Sequence, residues 1–279
     1  LAWLRAPLWK RVERWGLARQ KHIISITPYV RNLVEPLTDA HIYDIDNPID
    51  PACFRIRRKE IPGRVFFAGW ITPRKNPLGL IHAFAKVRNE GVDATLHLAG
   101  EESDPPYAES VRKAIDKYGL GDHVHMLGRV RTEDIRRELA AASVFVLPSR
   151  QENAPMAISE SMAAGVPVIA SNLCGMPFMV REGETGYLID PDDHDMIAER
   201  IIRLLSDTGL RQQMGRQAAE DATRRFHPTS VASKTRAVYE SVMAEFAGSA
   251  CGSRDSSEHS STTVKPLNPQ PKIEVSTAR

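Results

Sequence analysis

Short apolar runs recur through the middle of the chain, and amphipathic stretches separate them. The runs are rich in β-branched and aromatic residues and end at Gly, Pro or polar positions, which is typical of buried strands. They are RVFFA (64–68), ATLHLA (94–99), HVHML (123–127), SVFVL (143–147), PVIAS (167–171) and GYLID (186–190). The stretches between them have helical spacing, as in PLGLIHAFAKVRN (77–89), DPPYAESVRKAIDKYG (104–119) and TEDIRRELAAA (132–142). Strands that alternate with helices predict an α/β fold, a doubly wound parallel sheet with helices on both faces.

The pattern divides the chain into three parts. Residues 1–62 hold a basic helix candidate and two short apolar runs, HIISIT and AHIYDI, and we expect them to be the end of a different α/β unit. Residues 63–247 carry the alternation and finish in helices expected near 193–206, 208–224 and 229–246. Residues 248–279 are rich in Ser, Thr, Gly and Pro and poor in large apolar residues, so we expect a disordered tail.

Composition narrows the classes of function. The formal net charge of the 279 residues is +2, which gives no argument for a nucleic-acid-binding protein. Three scattered cysteines without a CxxC pair argue against a disulfide framework or structural zinc and favour a reducing, cytoplasmic setting. The first residue is Leu1, not Met, and we expect the native protein to be longer, with this chain as its C-terminal part.

The loop AGWITPRKNP (68–77) follows the first strand of the main domain and leads into a helix. Ligands of doubly wound sheets bind beyond the carboxyl ends of the strands. Asn76 suits an N-cap and Pro77 the first helical position, which puts Arg74 and Lys75 at a helix N-terminus that attracts anions. Two cations at a positive helix end repel each other unless an anion is present. A bound phosphate would compensate them, and a solvated pair on a surface loop fits the position equally well.

A second loop, SRQENAP (149–155), follows the strand SVFVL and precedes a helix that is expected to start at Pro155 and stop near Gly165. This places Glu152 in the loop and Glu160 on the helix. A loop carboxylate beside a helix start complements the helix dipole, and a helix carboxylate can simply face solvent. Position alone favours these structural roles over chemistry.

Taken together, these segments resemble the GT-B glycosyltransferases, in particular family 4, the group 1 type. Glu152-x7-Glu160 followed by SMAAGVPVIAS resembles the E-x7-E motif of that family, and FAGWITPRKNPLGLIHAF resembles its strand–loop–lysine segment. Further matches in the same order are HIISITPYV, DNPIDPACF (the inter-domain linker), MLGRVRTEDI, FVLPSRQENAP and REGETGYLIDP. The resemblance implies a Rossmann-like nucleotide-sugar-binding domain, preceded by the remnant of a truncated acceptor-side domain.

The same resemblance implies a role for each candidate residue. Lys75 holds the donor diphosphate, Glu152 lies at the transferred sugar, and Glu160 bonds the ribose hydroxyls. Lys75 and Glu152 are therefore the candidate catalytic residues. The other candidate donor contacts are Gly69 and Arg74, the base loop at Arg129 and Val130, and the main chain of Asn153, Ala154, Pro155 and Met156.

Three positions depart from the family pattern. The family usually has Arg one residue after the glycine that matches Gly69, and here Trp70 stands there. Either one diphosphate contact is lost or Arg74 replaces it. The glycine-rich loop after the first glutamate is replaced by Asn-Ala-Pro, and Pro155 has no N–H to donate. A common Pro-Glu pair becomes Pro-Phe, with Phe178 in the second place.

The implied reaction is the retaining transfer of a hexosyl group from a UDP- or GDP-sugar to an acceptor hydroxyl, in polysaccharide or glycolipid synthesis. The acceptor is an unidentified saccharide or lipid-linked molecule. Lys75 and Arg74 would stabilise the leaving group without a metal or other cofactor, and Glu152 would orient the sugar. His123 and His125 are expected to be ordinary strand residues. Two alternatives remain, a nucleotide-sugar-binding domain without turnover and a nucleotide-sugar 2-epimerase.

The N-terminal segment LAWLRAPLWKRVERWGLARQK carries six basic residues, one acid and three tryptophans. It has the composition of a helix that lies on an anionic membrane, which would put the protein at the inner face of the membrane. The alternative, which we favour, is a domain helix whose apolar face has lost its partner.

Overall fold

The N-terminal part of the chain forms a small β-α-β unit preceded by a helix. The computed structural model describes residues 2–251, with the side chains of 8–247. The elements are α1 (Ala2–Leu17), β1 (His22–Ser25), α2 (Pro28–Val34) and β2 (His41–Asp44). Strands β1 and β2 pair in parallel as a separate two-stranded sheet. Helix α2 begins where it does because the Thr27 side chain accepts from the N–H of Val30 at 3.2 Å, with Pro28 in the first turn.

The main sheet and its connecting helices follow a short linker. The strands are β3 (Arg64–Ala68), β4 (Thr95–Ala99), β5 (Val124–Gly128), β6 (Val144–Leu147), β7 (Val168–Ser171) and β8 (Gly186–Ile189). The helices between them are α3 (Pro77–Asn89), α4 (Pro105–Lys117), α5 (Thr132–Ala141) and α6 (Met156–Ala163). The predicted fold class, a doubly wound parallel α/β sheet, is confirmed.

The strand order of the main sheet is β5-β4-β3-β6-β7-β8, and all pairs are parallel. Strands β4 and β5 are added on one side of β3, and β6, β7 and β8 are added on the other side. Strand β6 pairs directly with β3, where Val65 lies opposite Val144. The order therefore reverses between β3 and β6. Ligands of such sheets bind at this reversal, in the crevice beyond the carboxyl ends of the two strands.

The sheet is apolar on both faces because helices cover both. Phe66 and Phe145 stack edge to face across the β3–β6 pair, with ring centroids 5.9 Å apart, and both are fully buried. Every residue of β6 and β7 is buried. This burial explains why these strands appear in the sequence as unbroken apolar runs rather than as alternating patterns.

The C-terminal helices are α7 (His194–Ser206), α8 (Thr208–Phe226) and α9 (Pro228–Cys251). Arg225 of α8 ties the linker to the main domain, since it pairs with Asp46 at 2.8 Å and donates to the Phe178 carbonyl at 2.9 Å. Contacts divide the chain into two units after Tyr239, and the described part of the second, up to Cys251, is helical. The predicted tail begins inside α9, and its residues 252–279 lie outside the described part.

Candidate functional site

Three charged side chains from two loops meet at the crevice between β3 and β6. The Lys75 ammonium lies 2.7 Å from Oε1 of Glu152, and Nη1 of Arg74 lies 3.0 Å from the same oxygen. The side chains of Lys75 and Glu152 are largely buried, with 14% and 10% of their surface exposed, whereas Arg74 is 45% exposed. The sequence suggested that a phosphate would relieve the repulsion between the two cations. Here Glu152 does so, and two cations against one carboxylate leave one positive charge in excess.

The β3–α3 loop is held by its last residue. Asn76 has left-handed backbone geometry, with φ of 56°, and its side chain accepts from the N–H of Gly79 at 3.2 Å. The same side chain donates to the carbonyl of Pro191 at 2.8 Å, so the loop is fastened to the segment after β8. The stem of Lys75 lies over Gly69, where an added Cβ would meet Cδ of Lys75 at 3.2 Å. The stem of Lys75 therefore packs directly against the main chain of Gly69.

The β6–α6 loop is held from two sides. The N–H of Arg150 donates to the Arg74 carbonyl at 2.8 Å, which joins the two loops directly. On the other side, the N–H of Gly175 donates to the Glu152 carbonyl at 2.8 Å. The approach is so close that a Cβ on Gly175 would stand 1.7 Å from the carbonyl oxygen of Asn153. These contacts fix the backbone that presents the Glu152 carboxylate.

Helix α6 begins at the same place with its first turn uncapped. Pro155 is the N-cap and its side chain makes no capping hydrogen bond. The N–H of Ile158 donates to the Pro155 carbonyl at 3.1 Å, and the N–H groups before it belong to the part of a helix that has no i−4 partner. We predicted that the helix would start at Pro155, and this was wrong by one residue, because Pro155 has an extended backbone with ψ of 118°. The segment from Asn153 to Met156 thus places a positive helix end beside Glu152 and Lys75.

Glu160 occupies a different environment from Glu152. It is half-buried on α6, and burial raises the pKa of its carboxyl, with the Asp50 carboxylate adding to the rise and the Arg136 guanidinium opposing it. Asp50 comes from the linker and pairs with Arg136 of α5 at 3.0 Å. Glu160 therefore has charged neighbours other than those of Glu152, and the Arg136 guanidinium only partly offsets the effects of burial and Asp50 on it.

A second group of residues lines a cleft of about 320 Å³ beyond the carboxyl ends of β3, β4 and β5. We call it the β3–β5 cleft; its lining is Ala68, Gly69, Trp70, Ala99, Gly100, Glu101, Arg129, Val130 and Ile135. Gly69 belongs to both the cleft and the crevice. The β3–β5 cleft contains the predicted base loop, Arg129 and Val130, together with the departing residue Trp70, whose ring is 57% exposed.

The structure thus groups the predicted residues into two adjoining sites, the crevice and the β3–β5 cleft. Glu160 is connected to the cleft by α5. Ile135 lines the β3–β5 cleft, and its neighbour Arg136 faces Glu160. Sequence reasoning missed Glu101, although its position directly after β4 marks it as a carboxyl-end residue. It also missed Asp50 and Arg136, for which the sequence gives no comparable signal, because their effect on Glu160 depends on how the linker packs.

Both histidines were predicted on a strand, but His123 directly precedes β5 and His125 lies on it; the two have separate partners. His125 packs against His97, with ring centroids 4.8 Å apart, while Nε2 of His123 lies 3.1 Å from a guanidinium nitrogen of Arg88. Within the described residues, no group of three or more His, Cys, Asp or Glu is placed to hold a metal ion. No helix among these residues has both the length and the apolar character needed to cross a membrane.

The family model of the "Glycosyl transferases group 1" matches residues 53–221, which include the crevice and the β3–β5 cleft. The chain belongs to the group 1 glycosyltransferases. The match takes in the β3–α3 loop with Lys75, the β6–α6 loop with Glu152 and the helix with Glu160, whereas Asp50 of the linker lies just before it.

Curated relatives agree with the family. D-inositol 3-phosphate glycosyltransferase of Corynebacterium efficiens is 31% identical over 240 residues, which is 83% of this chain and 56% of that protein. A GDP-mannose-dependent phosphatidylinositol monomannoside mannosyltransferase of Mycobacterium tuberculosis is 33% identical over 171 residues, 59% of this chain and 44% of that protein. This group 1 chain therefore spans about half the length of the curated relatives that it matches.

Solved structures support the same fold. Sucrose-phosphate synthase from Thermosynechococcus elongatus superposes with a TM-score of 0.73 at 25% identity, over 84% of this chain and 61% of that one. The Anabaena protein HepE, solved in complex with UDP and glucose, has a TM-score of 0.71 at 20% identity, over 84% of this chain and 66% of its own. At this identity the second likeness concerns the fold alone.

Proposed function

We propose that this chain is the nucleotide-sugar-binding part of a retaining glycosyltransferase. It would pass a hexosyl group from a UDP- or GDP-sugar to an acceptor hydroxyl on a saccharide or lipid-linked molecule, in polysaccharide or glycolipid synthesis. The observation that carries the proposal is the convergence of Lys75 and Arg74 on one oxygen of Glu152, at the switch point of the sheet and beside the uncapped start of α6.

The excess positive charge in the crevice suits a diphosphate. When the bond between the sugar and the diphosphate breaks, negative charge grows on the leaving phosphate oxygens. Lys75, Arg74 and the N–H groups at the start of α6 lie together at this point, and once the donor has drawn the two cations to its diphosphate they would stabilise that charge. We propose that these groups do this without a metal ion.

Glu152 has a different role in this scheme. Its carboxylate is an acceptor-only group, and sugar hydroxyls are donors. We propose that donor binding draws the two cations toward the diphosphate, which frees Glu152 to bind hydroxyls of the transferred sugar and to balance its oxocarbenium character. Glu160, from its half-buried position, would accept from the ribose hydroxyls, and the β3–β5 cleft would receive the base.

Relatives support the substrate class but differ in the donor. The mycobacterial relative is named for GDP-mannose, whereas the Anabaena structure contains UDP and glucose. Both names describe those proteins, and both agree with a nucleoside diphosphate sugar as the donor here. We propose a cytoplasmic setting, with contact at the inner face of the membrane if the acceptor is lipid-linked.

The test incubates the chain with UDP- and GDP-hexoses and follows release of nucleoside diphosphate, with and without a mixed pool of saccharide and lipid-linked acceptors. We expect acceptor-dependent release that Glu152→Gln lowers and that Glu109→Gln, a surface control on α4, leaves unchanged. The anomeric configuration of the product, read by NMR, then tests retention. Release without acceptor together with an altered sugar would indicate an epimerase and contradict the proposal, and so would a folded chain that binds neither UDP- nor GDP-hexoses. Binding without release would contradict the transfer step by this chain and leave the nucleotide-sugar-binding role standing.

A further inference from the structure

The β3–β5 cleft has a simple charge pattern. Of the residues that line it, Glu101 and Arg129 are charged, and the others are apolar, small or aromatic. Oε2 of Glu101 lies 3.7 Å from Nη1 of Arg129, with the side chains 55% and 83% exposed. An ion pair that is this open to solvent holds its partners weakly, so both groups are available to a ligand that enters the cleft.

The backbone beneath Glu101 is firmly placed. The N–H of Ile71 donates to the Glu101 carbonyl at 2.9 Å, and the N–H of Ser103 donates to it at 3.1 Å. Next to it, Gly100 lies so close to the β3–α3 loop that an added Cβ would stand 1.8 Å from the Gly69 carbonyl oxygen. The main chain of Glu101 is therefore fixed at the edge of the cleft, while its exposed side chain can turn toward a ligand.

A carboxylate distinguishes the nucleotide bases because it offers two acceptors side by side and no donor. Guanine presents two adjacent donors, N1–H and the N2 amino group, and accepts at O6 and N7 on its other side, where an arginine can donate. Uracil presents one N–H between two carbonyl oxygens, so one carboxylate oxygen would face a second acceptor. Adenine and cytosine each place a ring acceptor beside their amino group, which opposes a carboxylate in the same way.

We propose that Glu101 makes the β3–β5 cleft selective for guanine, with its carboxylate accepting from N1–H and the N2 amino group. Arg129 lies on the same cleft and is placed to donate to O6, and the exposed ring of Trp70 forms a further wall. This inference rests on the proposed function, since it takes the cleft to hold the base of the donor, and it narrows the donor to a GDP-sugar.

Calorimetry on the full chain tests the inference with three ligands, GDP, UDP and inosine diphosphate, which lacks the N2 amino group. The variants are Glu101→Gln, which replaces two acceptors by one acceptor and one donor, and Glu102→Gln as the matched control. Glu102 is the next residue along and pairs with Arg112 rather than lining the cleft. We expect the wild type to bind GDP about tenfold or more tightly than UDP, and more tightly than inosine diphosphate.

In Glu101→Gln both ratios should fall toward one, while Glu102→Gln should keep the wild-type ratios. Wild-type binding of UDP as tight as that of GDP would overturn the inference and leave the proposed function standing. A GDP preference that survives Glu101→Gln would also overturn it, because another group would then select the base. If a chain shown to be folded by circular dichroism bound none of the three ligands, the proposed function itself would fail.

Discussion

The Lys75 ammonium lies 2.7 Å from a Glu152 carboxylate oxygen, although 76 residues separate the two in the sequence, because β3 and β6 are neighbours in the sheet. The lysine is mostly buried and rests on Gly69, so its position is set by packing as well as by charge. Arg74 adds a second cation to the same oxygen. Glu152 thus holds both cations on one oxygen and balances one of their two charges; in the proposed function an anionic ligand takes over this role.

Arg74 is predicted to supply the diphosphate contact that Trp70 lacks. Arg74→Ala removes one of two cations in the crevice and should weaken nucleoside diphosphate binding about tenfold, in line with a charge-assisted hydrogen bond of about 1.5–3 kcal/mol. Adding Trp70→Arg to the Arg74→Ala protein returns a cation beside Gly69 and should recover most of the loss. Calorimetry on the single and double variants measures both effects. Wild-type affinity in Arg74→Ala would show that Arg74 does not contact the phosphates.

Glu160 should make nucleotide binding depend on pH. Burial and the Asp50 carboxylate raise the pKa of its carboxyl, and ribose hydroxyls donate to the ionised form. Affinity should therefore fall as the pH is lowered through the raised pKa, by up to about tenfold per pH unit for one proton taken up. Glu160→Gln should bind more weakly than the wild type at neutral pH but without this slope. An equal slope in both proteins would assign the pH dependence to another group.

The raised pKa of Glu160 has the opposite pH dependence in the stability of the ligand-free protein. A carboxyl whose pKa is raised by folding stabilises the folded state in its protonated form, and this contribution is lost as the pH rises from the unfolded pKa through the folded one. Above that range the ionised Glu160 is a cost to the fold. Urea denaturation should therefore find Glu160→Gln more stable than the wild type at neutral pH, with the difference shrinking in acid. A destabilised Glu160→Gln would contradict this account.

Gly175 is predicted to be essential for the shape of the Glu152 loop. A methyl group there would meet the backbone oxygen of Asn153 at 1.7 Å, and backbone cannot turn aside as a side chain can. Gly175→Ala should lower stability by about 1–3 kcal/mol, as expected for overpacking, and should weaken nucleotide binding as the loop shifts. Gly121→Ala is the control, because nothing lies within 4 Å of its added Cβ. Unchanged binding in Gly175→Ala would show that the loop position is not critical.

Arg225 is predicted to hold the linker on the main domain. It pairs with Asp46 at 2.8 Å and with the buried Asp221 at 3.4 Å, and it donates to the Phe178 carbonyl. Arg225→Ala leaves these acceptors without their donor, so the free energy of unfolding should fall by about 3–5 kcal/mol. Arg216→Ala, on an exposed position of the same helix, should change it by less than about 0.5 kcal/mol. A loss below about 1 kcal/mol in Arg225→Ala would contradict the assigned role.

Much of the fold follows from local patterns. The apolar runs and the cap at Asn76 place the six strands of the main sheet and the helices between them to within a residue or two, and right-handed crossovers restrict how parallel strands can be joined. The meeting of the loops with Lys75 and Glu152 is also predictable once β3 and β6 are taken as neighbours at a switch point. That adjacency is the step that the pattern alone does not supply, since six similar apolar runs can be ordered in several ways.

The rest of the site depends on contacts between distant segments. Burial raises the pKa of Glu160, and the Asp50 carboxylate in the linker, more than 100 residues away in sequence, adds to the rise; no local pattern indicates that approach. Glu101 follows an apolar run in the same way as Lys75 does, yet nothing in its sequence neighbourhood separates it from the adjacent Glu102. The distinction comes from the folded structure, in which Glu101 lines the β3–β5 cleft and Glu102 pairs with Arg112.

The central claim is that the crevice between β3 and β6 binds the diphosphate of a nucleotide. Calorimetry tests it most directly, with nucleoside diphosphates and the matching monophosphates on wild type, Lys75→Ala and Lys113→Ala, an exposed lysine on α4. We predict that the diphosphate binds more tightly than the monophosphate, that Lys75→Ala removes this difference with a loss of about 10- to 100-fold, and that Lys113→Ala retains it. Equal binding of both nucleotides by the wild type, or an undiminished preference for the diphosphate in Lys75→Ala, would contradict the account.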